Sequence, residues 1–143
     1  MRYYEIKRII AAPPERVWSV ITDATRLADG TFSILKIEGE IVAGQKITLW
    51  SEVNPDQGFR IGVNRLDAPH EMVWSSGMPL GLFRGTRRFR LTPVAAGTEF
   101  HMREDYTGPL AGMIFKQIPD QNAAFEIFAN GLEAACAGQE AGR

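Results

Sequence analysis

Apolar and polar residues alternate near the start of the chain, which predicts a strand from about Arg2 to Ile10. One face carries Tyr4, Ile6, Arg8 and Ile10, the other Tyr3, Glu5, Lys7 and Ile9. The first face is the more apolar and is expected to turn inward. Ala12-Pro13-Pro14-Glu15 then opens a helix. Proline suits the first turn, where its missing N–H costs nothing, and Glu15 suits the positive end of the helix dipole. Val17, Trp18 and Ile21 share one helical face, and Asp23 can cap a second short helix that runs toward the turn at Asp29-Gly30.

Further strands are expected at about Ser33–Glu38, Lys46–Val53, Gly58–Asp67, Met72–Ser76, Leu82–Thr92 and Thr98–Tyr106. The breaks between them are Val42-Ala43-Gly44, Asn54-Pro55-Asp56, Ala68-Pro69-His70, Gly77-Met78-Pro79 and Ala95-Ala96-Gly97. Each holds glycine or proline and suits a short hairpin connection. From Pro109 to about Ala137 the pattern turns helical, with Ile114, Ile118, Phe125, Phe128 and Leu132 on one apolar stripe. Pro119 removes a hydrogen bond to the carbonyl of Phe115, so a kink is expected there, or else a helix broken in two. Connections of hairpin length leave no room for crossover helices. The fold class is therefore α+β with an antiparallel sheet.

Composition narrows the function classes. The chain has 143 residues, of which 45% are hydrophobic and 23% charged, with a formal net charge of −1. That describes one globular domain, with no repeat, low-complexity tract or linker. There is no basic excess to release counterions, so nucleic acid is not expected as a partner. No apolar run reaches the length of a membrane span, and the N-terminus lacks the apolar core of a secretory signal. The one cysteine, Cys136, cannot form an internal disulfide. A cytoplasmic setting is the expectation.

Several stretches together resemble one superfamily. Ala12-Pro13-Pro14-Glu15-Arg16-Val17-Trp18, followed by Asp23, is similar to the opening of SRPBCC domains, also called START-like or Bet v 1-like. Arg87-Arg88-Phe89-Arg90-Leu91-Thr92-Pro93, then Gly97-Thr98-Glu99-Phe100, resembles their hairpin. Glu104-Asp105-Tyr106-Thr107-Gly108-Pro109-Leu110 resembles their junction into the last helix, and Phe128 to Leu132 the end of that helix. These stretches cover nearly the whole chain and look most like the polyketide cyclase/dehydrase-like and AHSA1-like members. The resemblance implies a helix-grip fold: a seven-stranded antiparallel sheet curved around a long C-terminal helix, two short helices after the first strand, and a cavity between sheet and helix. It also implies binding of lipids, sterols, polyketides or aromatic compounds, in most members without a cofactor. It does not fix a reaction, because one scaffold serves many ends.

The strand faces sharpen the chemistry. Phe83, Phe89 and Leu91 select an inward face that carries Gly85 and Arg87 with it. Phe100, Met102 and Tyr106 likewise carry Glu104 inward. If Leu91 pairs with Phe100, Arg87 lies opposite Glu104, and a shift of two residues would leave them diagonal neighbours. In the implied fold the first strand flanks the seventh, which would bring Arg8 to the same concave face. Inward charges need partners. The bland reading is a structural salt bridge fastening the hairpin to the first strand. The functional reading has Arg87, Arg8 and Glu104 orient a carbonyl, phenol or carboxylate of a ligand. Acid–base catalysis by Glu104 or Tyr106 would require a shifted pKa and a reachable proton.

An apolar group suits a ligand pocket better than any one of its members does, since each alone reads as ordinary core. Its members are Phe59, Ile61 and Val63 on one strand and Met72 and Trp74 on another. Phe83, Met102, Tyr106, Ile114, Ile118 and Phe125 complete it. Gln117 and Gln121 near the proline are expected on the solvated surface. Trp50 falls on an outward face with Lys46, Thr48 and Glu52, which would mark a homodimer contact unless the register is off by one. His70 and His101 belong to no cluster, so no metal site is expected. Gly81-Leu82-Phe83-Arg84-Gly85 lacks the ending of a phosphate loop and suits a flexible pocket rim.

Three functions follow as alternatives. The first is a binding domain for a small apolar molecule. The second is a cofactor-independent cyclase or dehydratase using Arg87, Glu104 and Tyr106. The third, by analogy with chaperone-activating members, is a protein-interaction module.

Overall fold

The computed structural model describes residues 2–52 and 54–141. The N-terminal strand β1 (Tyr3–Ile10) leads into α1 (Pro14–Ile21) and α2 (Ala24–Leu27). Pro14 occupies the first turn of α1, and Val17, Val20 and Ile21 are its buried face. The Asp23 side chain accepts from the Arg26 N–H, which caps α2. Six strands follow: β2 (Ile34–Glu38), β3 (Lys46–Ser51), β4 (Asn54–Asp67), β5 (Glu71–Gly77), β6 (Arg84–Val94) and β7 (Gly97–Thr107). Two helices, α3 (Ala111–Gln117) and α4 (Asn122–Ala141), end the described chain.

The strands form one antiparallel sheet in the order β1-β7-β6-β5-β4-β3-β2. It curves into a half-barrel around α4, which is the helix-grip arrangement. Every neighbouring pair except β1 with β7 is a hairpin. Phe125, Phe128, Leu132 and Cys136 of α4 are buried against Phe89 and Phe100 of the sheet and Phe32 of the α2–β2 loop. The Phe128 ring lies 5.1 Å from Phe32 and 5.9 Å from Phe100, centre to centre. The alternation expected for β1 holds: Ile10 is buried, Tyr4, Ile6 and Arg8 are half-buried, and the other face is exposed.

Two expectations need correction, and one left open is decided. Asn54-Pro55-Asp56 is not a break: β4 begins at Asn54, which pairs with Ser51 at a point where the register slips. Proline is tolerated there, at the strand's start. Val53, the expected end of the preceding strand, lies outside the described residues. Of the two forms expected for the last segment, a kinked helix or one broken at Pro119, the chain adopts the second, α3 and α4. Ile118 adopts an extended backbone (ψ 150°), the conformation that a following proline favours. The Asp120 carboxylate accepts from the Asn122 N–H at 2.9 Å and restarts the helix. Finally, Leu82 precedes β6 and is not part of it. Residues 79–81 form a single 3-10 turn, so the strand starts at Arg84.

Candidate functional site

The sheet, α3 and α4 enclose a cavity of about 450 Å³. Its wall is set by strand register. Val63, Trp74, Arg87, Glu104 and Tyr4 are successive Cα partners across β4, β5, β6, β7 and β1. They form one row on the concave face. Leu91 pairs with Phe100 in the same hairpin, so Arg87 stands directly opposite Glu104. Arg87 Nε and Nη2 both lie 2.6 Å from Glu104 Oε1. The Arg87 guanidinium also sits 4.9 Å from the centre of the Phe125 ring. The two charged side chains are about one-fifth exposed, at 20% and 19%. Charge-assisted hydrogen bonding offsets the cost of removing both from water.

Tyr106 occupies the next inward position of β7, opposite Gly85. A Cβ at Gly85 would lie 3.6 Å from Glu104 Oε2 and 3.7 Å from the Tyr106 ring, so the missing side chain leaves open space beside both groups. The Tyr106 hydroxyl is pushed well above the usual phenol range. Burial is the main cause, followed by the negative charge of Glu104; Arg87 acts in the opposite sense, and a hydrogen bond to Glu104 adds to the rise. Tyr106 therefore stays protonated and acts as a donor. Its ring belongs to an aromatic cluster with Tyr4, Phe83 and Phe115, which packs α3 onto the sheet.

Trp74 is 2% exposed. It lines the cavity, and its ring meets Phe89 edge-on at 4.8 Å. The indole Nε1 is buried and has no hydrogen-bond partner.

Of the residues singled out from sequence, the cavity brings together Phe59, Ile61, Trp74, Phe83, Arg87, Met102, Glu104, Tyr106, Ile114, Ile118 and Phe125. Arg8 is not among them. It turns from Glu104 to the last helix, where it contacts Glu133 at 2.6 Å, Glu126 at 2.9 Å and Asn130 at 3.0 Å. The expected triad of two arginines and one acid is thus a pair, and Arg8 fastens β1 to α4. Gln117, read as solvated, is exposed and Gln121 is half-buried, and both also border the cavity where α3 meets α4. Trp50 faces outward as read, but its own sheet covers it: Lys36 Nζ lies 5.1 Å from the ring centre, and a Cβ on Gly58 would fall 2.7 Å from the ring.

Sequence reasoning missed Phe32, Ser33, Ile34, Leu49 and Phe128 as cavity lining. Leu49 shared an apolar alternation that could have placed it. Phe128 was read as part of the helical stripe; Phe32 lies in a loop without periodicity, and Ser33, expected to open a strand, belongs to that loop because β2 starts at Ile34. Ser33 takes a left-handed backbone (φ 65°) while 5% exposed. Among the described residues no group of three histidine, cysteine, aspartate or glutamate side chains is placed to hold a metal. No described helix is long and apolar enough to cross a membrane.

Comparison with known proteins agrees with this geometry. A family described as "Polyketide cyclase / dehydrase and lipid transport" matches residues 1–136. Protein MLL2253 from Mesorhizobium loti superposes with a TM-score of 0.74 at 17% identity, over 96% of this chain and 98% of its own. A protein from Rhodobacter sphaeroides gives 0.73 at 24% identity, over 96% and 93%. DynU16, from the dynemicin biosynthetic locus, gives 0.67 at 15% identity, over 100% of this chain and 49% of its own. These likenesses establish the fold. A search among curated proteins gives no match.

Proposed function

The chain belongs to the polyketide cyclase / dehydrase and lipid transport family, and from that premise we propose that it binds a small, largely apolar molecule between its sheet and its C-terminal helices. The observation that carries the reading is the cavity itself. Its volume of about 450 Å³ falls within the roughly 300–1,000 Å³ of small-molecule sites. Ile61, Phe83, Met102, Ile114, Ile118 and Phe125 supply an apolar wall, while Arg87, Glu104 and Tyr106 supply a few polar groups on one side. The break at Pro119 supports it too, because the two helix ends there roof the cavity without filling it. A cytoplasmic setting and binding without a cofactor belong to the same proposal.

A thermal-shift screen of neutral lipids, sterols and aromatic polyketides, followed by native mass spectrometry, tests the reading. Stabilisation by at least one class, with a bound mass, is expected. No stabilisation and no bound mass across the screen would count against it.

One observation favours a second reading, a cyclase or dehydratase. Arg87, Glu104 and a protonated Tyr106 stand side by side at the cavity wall. Holding a flexible chain in one conformation beside a carboxylate and a phenol suits ring closure with loss of water. Under this reading Glu104→Gln abolishes turnover and leaves binding nearly intact. Equal loss of binding and folding would instead assign the pair a structural role.

A further inference from the structure

We propose that the gap over Gly85 is a hydroxyl subsite, so that the ligand is an apolar body bearing a phenol or alcohol whose O–H donates to Glu104 Oε2. The inference rests on reading the cavity as a ligand pocket and adds the chemistry of what enters it. Both Arg87 nitrogens meet the same carboxylate oxygen, Oε1, at 2.6 Å. An ionised carboxylate has about four acceptor sites, shared between its two oxygens. Arg87 fills those of Oε1, and the Tyr106 hydroxyl has a single proton to give. Among the described residues, an acceptor site on Oε2 is therefore left over. There is room for a ligand atom at that oxygen. Gly85 and Glu104 both line the cavity. A Cβ built on Gly85 meets nothing closer than Oε2 at 3.6 Å and the Tyr106 ring at 3.7 Å. A methyl-sized group thus fits against Oε2 in ordinary contact, and a hydroxyl oxygen hydrogen-bonded to it at about 2.7 Å needs no more space.

The open acceptor selects the head group. Among the residues lining the cavity, Arg87 is the cation and Glu104 the anion, and they neutralise each other at 2.6 Å. A ligand carboxylate in the gap would meet Oε2 with no second cation to offset the repulsion. A ketone or ether oxygen would set two acceptors against each other. A hydroxyl donates, and a hydrogen bond to a charged acceptor is stronger than one between neutral groups. The rest of the ligand would lie along the rings that flank the gap, Tyr106 with Phe83 stacked on it at 6.0 Å.

The test uses three naphthalenes: 2-naphthol, 2-methylnaphthalene, which replaces the hydroxyl by a methyl of similar size, and 2-naphthoate. Each competes at neutral pH with the neutral dye N-phenyl-1-naphthylamine on wild-type protein, Gly85→Ala and Glu104→Gln. The affinity ratio of naphthol to methylnaphthalene should fall about tenfold in Glu104→Gln, the excess of a hydrogen bond to a charged acceptor over one to a neutral amide. It should also fall in Gly85→Ala, whose methyl takes the place of the hydroxyl while the Arg87–Glu104 pair stays intact. Any general loosening of a variant affects both ligands and cancels in the ratio. The naphthoate should bind wild type more weakly than the naphthol does. With the dye still bound, a ratio unchanged in both variants overturns the subsite and leaves the pocket standing. A fall in Glu104→Gln alone overturns its placement over Gly85, and tighter binding of the naphthoate overturns the hydroxyl head group. If neither the dye nor any naphthalene binds, the pocket reading itself falls, and the subsite falls with it. If Glu104→Gln does not fold, Gly85→Ala decides.

Discussion

Arg87 and Glu104 face each other across the β6–β7 hairpin, and their side chains meet at 2.6 Å on the concave face of the sheet. The contact ties two adjacent strands together at the wall of the cavity, with the Phe125 ring of α4 against the guanidinium. The pair therefore belongs to the packing of the sheet and to the surface a ligand would touch. A double-mutant cycle of Arg87→Ala and Glu104→Ala, followed by urea unfolding, should give a coupling of about 1–2 kcal/mol. A coupling near zero would mean that the contact is not maintained in solution.

Tyr106 gives a prediction with a definite sign. Its folded pKa is raised above its unfolded value of about 10. The protonated phenol therefore contributes stability that is fully present below pH of about 10 and is lost as pH rises toward the folded pKa. Denaturant unfolding across the alkaline range should show wild type losing stability with pH more steeply than Tyr106→Phe. Parallel profiles would contradict the burial of that hydroxyl.

Gly58 makes room for Trp50 on the outer face of the sheet. A Cβ there would come within 2.7 Å of the indole ring, and the two residues are Cα partners on β3 and β4. Gly58→Val should destabilise the fold by about 1–3 kcal/mol in urea. Binding in the cavity, on the opposite face, should persist once the variant is folded.

Arg8 separates fastening from binding. It holds Glu126, Asn130 and Glu133 of the last helix and does not line the cavity. Arg8→Ala should cost about 1 kcal/mol of stability, as expected for a partly exposed network. Dye affinity measured below the melting transition should stay at the wild-type value. A large loss of affinity would return Arg8 to the site.

Much of this architecture was legible in the alternation of residues. Phe89 and Leu91 on one strand, with Phe100 and Met102 on the next, fixed which faces turn inward. A two-residue period then carried Arg87 and Glu104 with them. The partner of Arg8 was harder to see. Glu126, Asn130 and Glu133 sit four and three residues apart, a polar stripe on one helical face, and only the docking of that helix shows β1 beneath it. The start of β4 was hidden for a different reason. Asn54-Pro55-Asp56 has the composition of a turn, yet pairing with Ser51 extends the strand through it. Phe32 and Ser33 reach the cavity from a loop, where no periodicity marks the inward side.

The hollow between sheet and helices can be filled by one substitution. Gly85 is buried at its wall, and a Cβ there meets only ordinary contacts at 3.6–3.7 Å, so Gly85→Leu should fold while its side chain occupies the cavity. Calorimetric titration with N-phenyl-1-naphthylamine should show one bound dye per wild-type chain and no measurable binding to the variant at an unchanged helical circular dichroism signal. Equal binding by both proteins, or none by the wild type, would contradict a ligand pocket at this place.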